Sequence, residues 1–383
     1  MKISKKILGL LFFAAVSFSC NKTLTPGVTD NDITIELDGK SYIQFSSGIS
    51  TRGALKEGLY LDANFAVLGY QYRSTDWGAA SIMATPNVFA NTPQLVEFDK
   101  GIYSYNPPQI WTGNNYSFFG YSPLDNNDNP NDVNKIILFD NGTSKLGIPY
   151  ITYTLPSFND PTQLIDLMTG FVHTRLDYDA AGNEINEVAL TMKHRLSAID
   201  IRARNQYLYK ETVESQGQAV VIEITELKFK PKAYTKAKIF LDGSEAQGIE
   251  TNTLSYELVN SSNTLDVDPT VGADWVGITT DKGSNPTTFL LIPQNMPLEG
   301  TLDFSFKLRD GNTYLKDITD IDKDNDKEES VISISYPIKN LNRTLVEGRR
   351  YYIEIYFSSD AVSVDISAAD EWDDQSDVKH EFE

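Results

Sequence analysis

The chain has 383 residues and a formal net charge of -20, with 33 Lys+Arg against 53 Asp+Glu; 20 tyrosines and 19 phenylalanines stand beside 3 histidines and 1 cysteine. The length exceeds one ordinary core and points to two domains. The acidity argues against nucleic acid and anionic lipid headgroups as partners of the surface, and the scarcity of His and Cys argues against chemistry built on them. Abundant aromatics suit pleated, half-buried β surfaces instead.

The first 20 residues read as an export signal. Lys2, Lys5 and Lys6 form a positive start, and Ile7 to Phe18 is an apolar run too short to span a bilayer. The run passes through "SFSC" into Cys20, the pattern of a bacterial lipoprotein whose thiol is acylated and becomes the mature N-terminus. With no second cysteine there is no disulfide to explain it. Residues 21–32 are polar, carry Pro26 and Gly27, and read as a tether from an outer membrane to a soluble body.

Strand signals begin at once. "ITIEL" places Ile33, Ile35 and Leu37 on one face, "DGK" turns, and "YIQF" places Ile43 and Phe45 on one face, which predicts a hairpin. Short runs such as "FAVLGYQY", "LVEF", "YSFFGYSP" and "IPYITYTLP" follow, separated by Asn, Asp, Gly and Pro. Asp160–Met168 is the best short helical stretch. The polar segment Asp177–Glu187 is taken as a boundary, giving a domain over 33–183 and another over 184–383. The second opens with "VALTMKHRLSAIDIRAR" and continues through "AVVIEITELKFK", "AKIFL", "TTFLLIP", "LDFSFKL", "SVISISYPI", "RRYYIEIYF" and "AVSVDISA". The expected class is all-β, in antiparallel sandwiches.

Catalytic and cofactor signatures are weak. Asp322, Asp324 and Asp326 have the opening spacing of a calcium loop, but Lys327 stands where the turn needs glycine and Ser333 where a bidentate glutamate would close it. A solvated acidic loop over 317–329 is the simpler reading. His173, His194 and His380 have no ligand at metal spacing, and His194 lies in an alternating run as a structural histidine. No nucleotide-binding loop and no nucleophile elbow occurs, so neither a cofactor nor an enzyme is expected. Paired carboxylates of glycosidase type stay open, because acids are everywhere and their separation is invisible in sequence. Trp77, Trp111, Tyr103 and Tyr105 are candidates for stacking on sugar rings, with a core or anchor role as the default for each.

Taken in order, "ISTRGA", "FAVLGYQY", "GIYSYNPPQIWTGNNYSFFGYSP", "DLMTG", "VALTMKHRLSAIDIRAR", "FLLIPQ" and "LVEGRRYYIEIYFSSDAVSVDISAADEW" resemble the fimbrillin family of Bacteroidetes. That family comprises lipoprotein precursors of type V pili and related surface adhesins. The resemblance implies two tandem transthyretin-like sandwiches and acylation at Cys20. It also implies cleavage by an arginine-specific protease between Arg52 and Gly53, which removes a strand region carrying Ile33, Ile35, Ile43 and Phe45. The partners implied are other pilus subunits, joined by strand exchange, outer-membrane lipid through acylated Cys20, and a host protein or glycan. After Trp372 the sequence "DDQSDVKHEFE" has no long alternating apolar strand to donate, which leaves stalk, tip and anchor roles open. The alternative is a surface glycan-binding lipoprotein that uses loop aromatics.

Overall fold

The computed structural model describes residues 40–49, 64–73, 77, 85–99, 102–123, 137–138, 148–155, 166–182, 184–209, 217–269, 275–279, 287–294, 297–315, 331–359 and 361–368. These are almost entirely β. The first strands are β1 (Gln44–Ile49), β2 (Phe65–Tyr72), β3 (Gln94–Asp99), β4 (Ile102–Ser104), β5 (Asn115–Ser122), β6 (Ile137–Leu138), β7 (Tyr150–Thr154) and β8 (Met168–Thr174). A small hairpin of β9 (Asp177–Tyr178) and β10 (Glu184–Ile185) leads into β11 (Glu187–His194) and β12 (Ser197–Gln206). Short β13 (Leu208–Tyr209) and β14 (Gln218–Ala219) precede the 20-residue β15 (Val221–Phe240). Then come β16 (Gln247–Thr253), β17 (Tyr256–Val259), β18 (Leu265–Val267), β19 (Val276–Gly277), β20 (Thr288–Leu291), β21 (Glu299–Asp310), β22 (Thr313–Leu315), β23 (Ile332–Pro337), β24 (Arg350–Ser358) and β25 (Val362–Ala368).

One sheet runs in the order β1-β11-β8-β5-β2-β3-β4. Its central strands β2 and β5 are apolar on both faces, and each has six consecutive buried residues. A run such as "FAVLGY" needs cover on both sides, and it receives it. Phe65 and Val67 face one buried cluster with Phe118, Val188, Leu190 and Met192. Ala66, Leu68 and Tyr70 face a second cluster with Phe119, Ile151 and Tyr153. By contrast β11 alternates strictly between exposed and buried residues, because only one of its faces is covered.

The second cluster continues without a break into the C-terminal half. There β12, β20, β24 and β25 form one sheet with β19 and contribute Ile199, Ile201, Phe289, Ile353 and Phe357. The other sheet is built around β15, which contributes Ile222, Ile224, Leu227 and Phe229. At the usual rise β15 spans about 65 Å. Its first part, from Val221 to Lys232, pairs with β21, and its last five residues pair with β7. The sheets therefore do not divide at residue 183. β7 joins the long C-terminal sheet, β11 joins the N-terminal one, and Asp177–Glu187 is the connection between two antiparallel neighbours, β8 and β11. The helical expectation over Asp160–Met168 falls mostly outside the described residues; of its last three, Asp166 and Leu167 are not helical and Met168 opens β8.

The passage from β11 to β12 is fastened by polar contacts. His194 Nδ1 lies 2.5 Å from Asp166 Oδ2 in a buried pair. Arg195 is only 2% exposed; its guanidinium donates to Ser244 O at 2.6 Å and pairs with Glu347 at 3.2 Å. Burial pulls the Arg195 pKa down and pushes the Glu347 carboxyl up, each opposed by the other's charge. Ser197 Oγ donates to Val346 O at 2.8 Å, and Arg350 pairs with Asp200 at 3.3 Å.

Gly69 in β2 is where a second layer crosses the sheet. Asn87 N and Val88 N both donate to Gly69 O, at 2.9 and 3.2 Å. A Cβ on Gly69 would meet Phe89 Cε2 at 2.6 Å and Val88 Cβ at 2.7 Å. Gly69→Ala is expected to push this crossing segment off the sheet at about 1–3 kcal/mol, measured by urea unfolding. At the junction, Glu347→Ala is expected to cost roughly 2–3 kcal/mol by stranding the Arg195 charge, less than for a fully buried pair because solvent reaches Glu347. Arg195→Met, which leaves a carboxylate within reach of water, is expected to cost less. The reverse order in urea unfolding would place the importance of Arg195 in its bond to Ser244 instead.

Candidate functional site

The candidate site is the edge strand β1 and the groove that holds it. Among the described residues β1 is the outermost strand of its sheet, and it pairs parallel with β11, from Gln44 opposite Glu187 to Ile49 opposite Met192. The sequence pattern predicts a hairpin with the segment carrying Ile33 and Ile35. That upstream half lies outside the described residues, as do Cys20, Arg52 and Gly53. Ile43 and Phe45 are brought together as expected, 0% and 5% exposed in the same cluster.

Just before β1 the chain is held on two sides. Ile43 N donates to Gln109 O at 2.8 Å and Trp111 N donates to Ser41 O at 2.9 Å, around an antiparallel bridge from Tyr42 to Ile110. Gln44 N donates to Asn186 O at 3.1 Å, and Trp111 Nε1 donates to the same carbonyl at 3.1 Å. Tyr105 Oη donates to Ile43 O at 2.9 Å while accepting from Gln109 N at 3.1 Å. Burial pushes the Tyr105 phenol far up, so it stays a neutral donor at any physiological pH.

Phe45 enters an aromatic pocket. Its ring centroid lies 5.4 Å from Phe118 and 5.6 Å from Tyr105, with Phe65 at 6.0 Å and Phe89 at 6.2 Å. The first three rings meet it edge to face, the favoured aromatic arrangement. The pocket walls come from β2, from β5 and from the segment that crosses at Gly69. Sequence reasoning singled out Phe45 but not its receptors Phe89 and Phe118.

The surface aromatics proposed for sugar stacking are differently placed. Trp111 and Tyr105 are buried, 6% and 4% exposed, because the loop that carries them folds back over Ile43. Tyr103 packs on Phe65 and Phe98. Trp77 is half-buried against Tyr70, Tyr72, Phe119 and His173.

Two places resemble chemical sites. Ser117 Oγ lies 2.7 Å from His173 Nδ1, the spacing of a nucleophile and its base. Ser117 is, however, fully buried, and its hydroxyl also donates to Tyr72 Oη at 3.2 Å. Burial lowers the His173 pKa and Trp77 stacks on its ring, so the pair fastens β5 to β8 at positions that are register partners. A cleft of about 270 Å³ beside Gln109 and Ile110 is lined by polar groups that bond one another, such as Gln71 Nε2 to Thr112 Oγ1 at 2.7 Å. Among the described residues no His/Cys/Asp/Glu group is arranged to hold a metal ion, and no helix is long and apolar enough to cross a membrane. The acidic stretch 317–329 and His380 lie outside the described residues.

Comparison with known proteins agrees with this architecture. The family model described as fimbrillin-like matches residues 61–372. A fimbrial protein from Bacteroides vulgatus shares the fold, with a TM-score of 0.60 at 16% identity over 86% of this chain and 99% of that one. A cell adhesion candidate from Bacteroides uniformis aligns over 88% of this chain and 100% of its own, at 13% identity and a TM-score of 0.45. The fimbrial anchor protein Mfa2 of Porphyromonas gingivalis aligns over 86% of this chain and 96% of its own, at 10% identity and a TM-score of 0.34. No curated protein matches the sequence. With the family model matched over most of its length, the chain belongs to the fimbrillin-like family.

Proposed function

We propose that the chain is a surface-exposed fimbrial subunit or adhesin, non-enzymatic, exported as a lipoprotein acylated at Cys20 and tethered to the outer membrane. Cleavage between Arg52 and Gly53 severs this anchor and β1 from the rest of the chain. A strand from another subunit then displaces β1 from its groove. The observation that carries this reading is the position of β1: an edge strand among the described residues, whose Phe45, with Ile43 just before it, lies in the core only a few residues ahead of Arg52.

The physics favours exchange over simple loss. Cutting the chain breaks none of the contacts of β1. Burial of Ile43 and Phe45 alone is worth about 3–6 kcal/mol, and the ladder adds roughly 1 kcal/mol net per hydrogen bond. A nicked strand of this kind stays in place until a competitor offers equivalent contacts by β-augmentation. The bare edge in between, a row of unpaired backbone groups over apolar surface, is adhesive in itself. The glycan-binding alternative has lost Trp111 and Tyr105 to the core, and no observation favours it.

N-terminal sequencing of the surface form is the direct test, with Gly53 expected as the first residue of released protein and Cys20 as that of anchored protein. Surface material starting only at Cys20 defeats the pilus-subunit reading. Cys20→Ala is expected to abolish incorporation of labelled palmitate. Phe45→Ala is expected to lower stability by about 3–4 kcal/mol through loss of the ring and the void left behind, as read from urea unfolding of the uncleaved chain.

A further inference from the structure

We infer that the groove selects its occupant by a short side-chain signature: an aliphatic residue, then an uncharged one, then an aromatic one, running parallel to β11. The inference rests on the strand-exchange reading above and adds which strand the groove takes. It also implies that β25 of a second copy is a poor donor; the occupant is a strand of another subunit that carries this signature.

The aromatic requirement comes from the pocket. Edge-to-face contacts from Phe65, Tyr105 and Phe118 can be met only by a ring. The pocket does not collapse easily around anything smaller. The segment that carries Phe89 is held by the bonds from Asn87 N and Val88 N to Gly69 O, and the Tyr105 hydroxyl accepts a bond from Gln109 N. An aliphatic side chain there leaves ring faces without contact and a void in a close-packed region.

The middle position is set by charge. Gln44 stands opposite Glu187 in the ladder, at the usual strand spacing of about 4.8 Å. A carboxylate in its place would sit beside another carboxylate. The aliphatic position is that of Ile43, fully buried, with its carbonyl bound to Tyr105 Oη.

β25 fails on both counts. Its inward residues are Val364 and Ile366 with Asp365 between them. Laid over Ile43, Gln44 and Phe45, they place an aliphatic chain in the aromatic pocket and an acid beside Glu187. The same strand is engaged in its own sheet, where seven residues pair with β24.

The test uses the mature full-length chain, cut after Arg52 by an arginine-specific protease or, to confine the cut, at a sequence-specific protease site inserted after Arg52. The two pieces are kept together, and displacement of the N-terminal fragment by synthetic peptides is followed by native mass spectrometry. The peptide spanning residues 40–49 is expected to exchange. Its Phe45→Ile version is expected to compete about tenfold less well. Its Gln44→Asp version should compete several-fold less well in low salt and recover as salt screens the pair. A peptide of residues 361–368 is expected to be weaker by about a hundredfold, from the two defects combined. If the Phe45→Ile or 361–368 peptide competes as well as the 40–49 peptide, selection is refuted while strand exchange stands. If the 40–49 peptide does not exchange at all, the strand-exchange reading and this inference fall together.

Discussion

Among the described residues, the N-terminal sheet ends on one strand, β1, that pairs along one side, with β11. Phe45 of β1 and Ile43 just before it contribute two side chains to a core that also takes residues from β2, β3, β5, β8 and β11, and both are buried almost completely. Removing it leaves Phe65, Phe118, Phe89 and Tyr105 around a space shaped for a phenyl ring. A sheet edge is ordinarily a hazard that proteins blunt or cover. Here the edge of the sheet is formed by the N-terminal part of the described chain, over an apolar pocket.

The rest of the molecule gives that edge a stiff support. β15 passes from the C-terminal core to the pairing with β7, and one buried cluster follows it from the outer C-terminal sheet to β2 and β5. The link between β11 and β12 is closed by Arg195, Glu347 and Ser244 rather than left as an open hinge. The groove therefore lies on a body whose strands interlock across both halves.

Much of this was legible in the sequence, and the parts that were not have physical reasons. Strand content and the inward pairing of Ile43 with Phe45 follow from period-two patterning, which is local. The parallel partnership of β1 with β11 is a long-range choice that no local pattern encodes. β15 reads as two runs broken at Pro231, because proline ordinarily ends a strand. It continues because Pro231 stands opposite Gly300, where a Cβ would lie 2.0 Å from Lys230 O. Trp111 and Tyr105 take the core role that is the default for such aromatics, but that their loop closes over Ile43 is a long-range contact no local pattern encodes. The burial of Arg195 is set by Ser244 and Glu347, far away along the chain, and no local pattern encodes it.

The parallel ladder between β1 and β11 also has a mechanical meaning. Its six residue pairs lie side by side along one direction. A pull along that direction is a shear, which every backbone bond of the ladder resists at the same moment. A rival strand that enters at one end meets those bonds one after another and displaces them like a zip. The same short contact thus resists tension along the strand and is weaker against a rival strand that enters at one end.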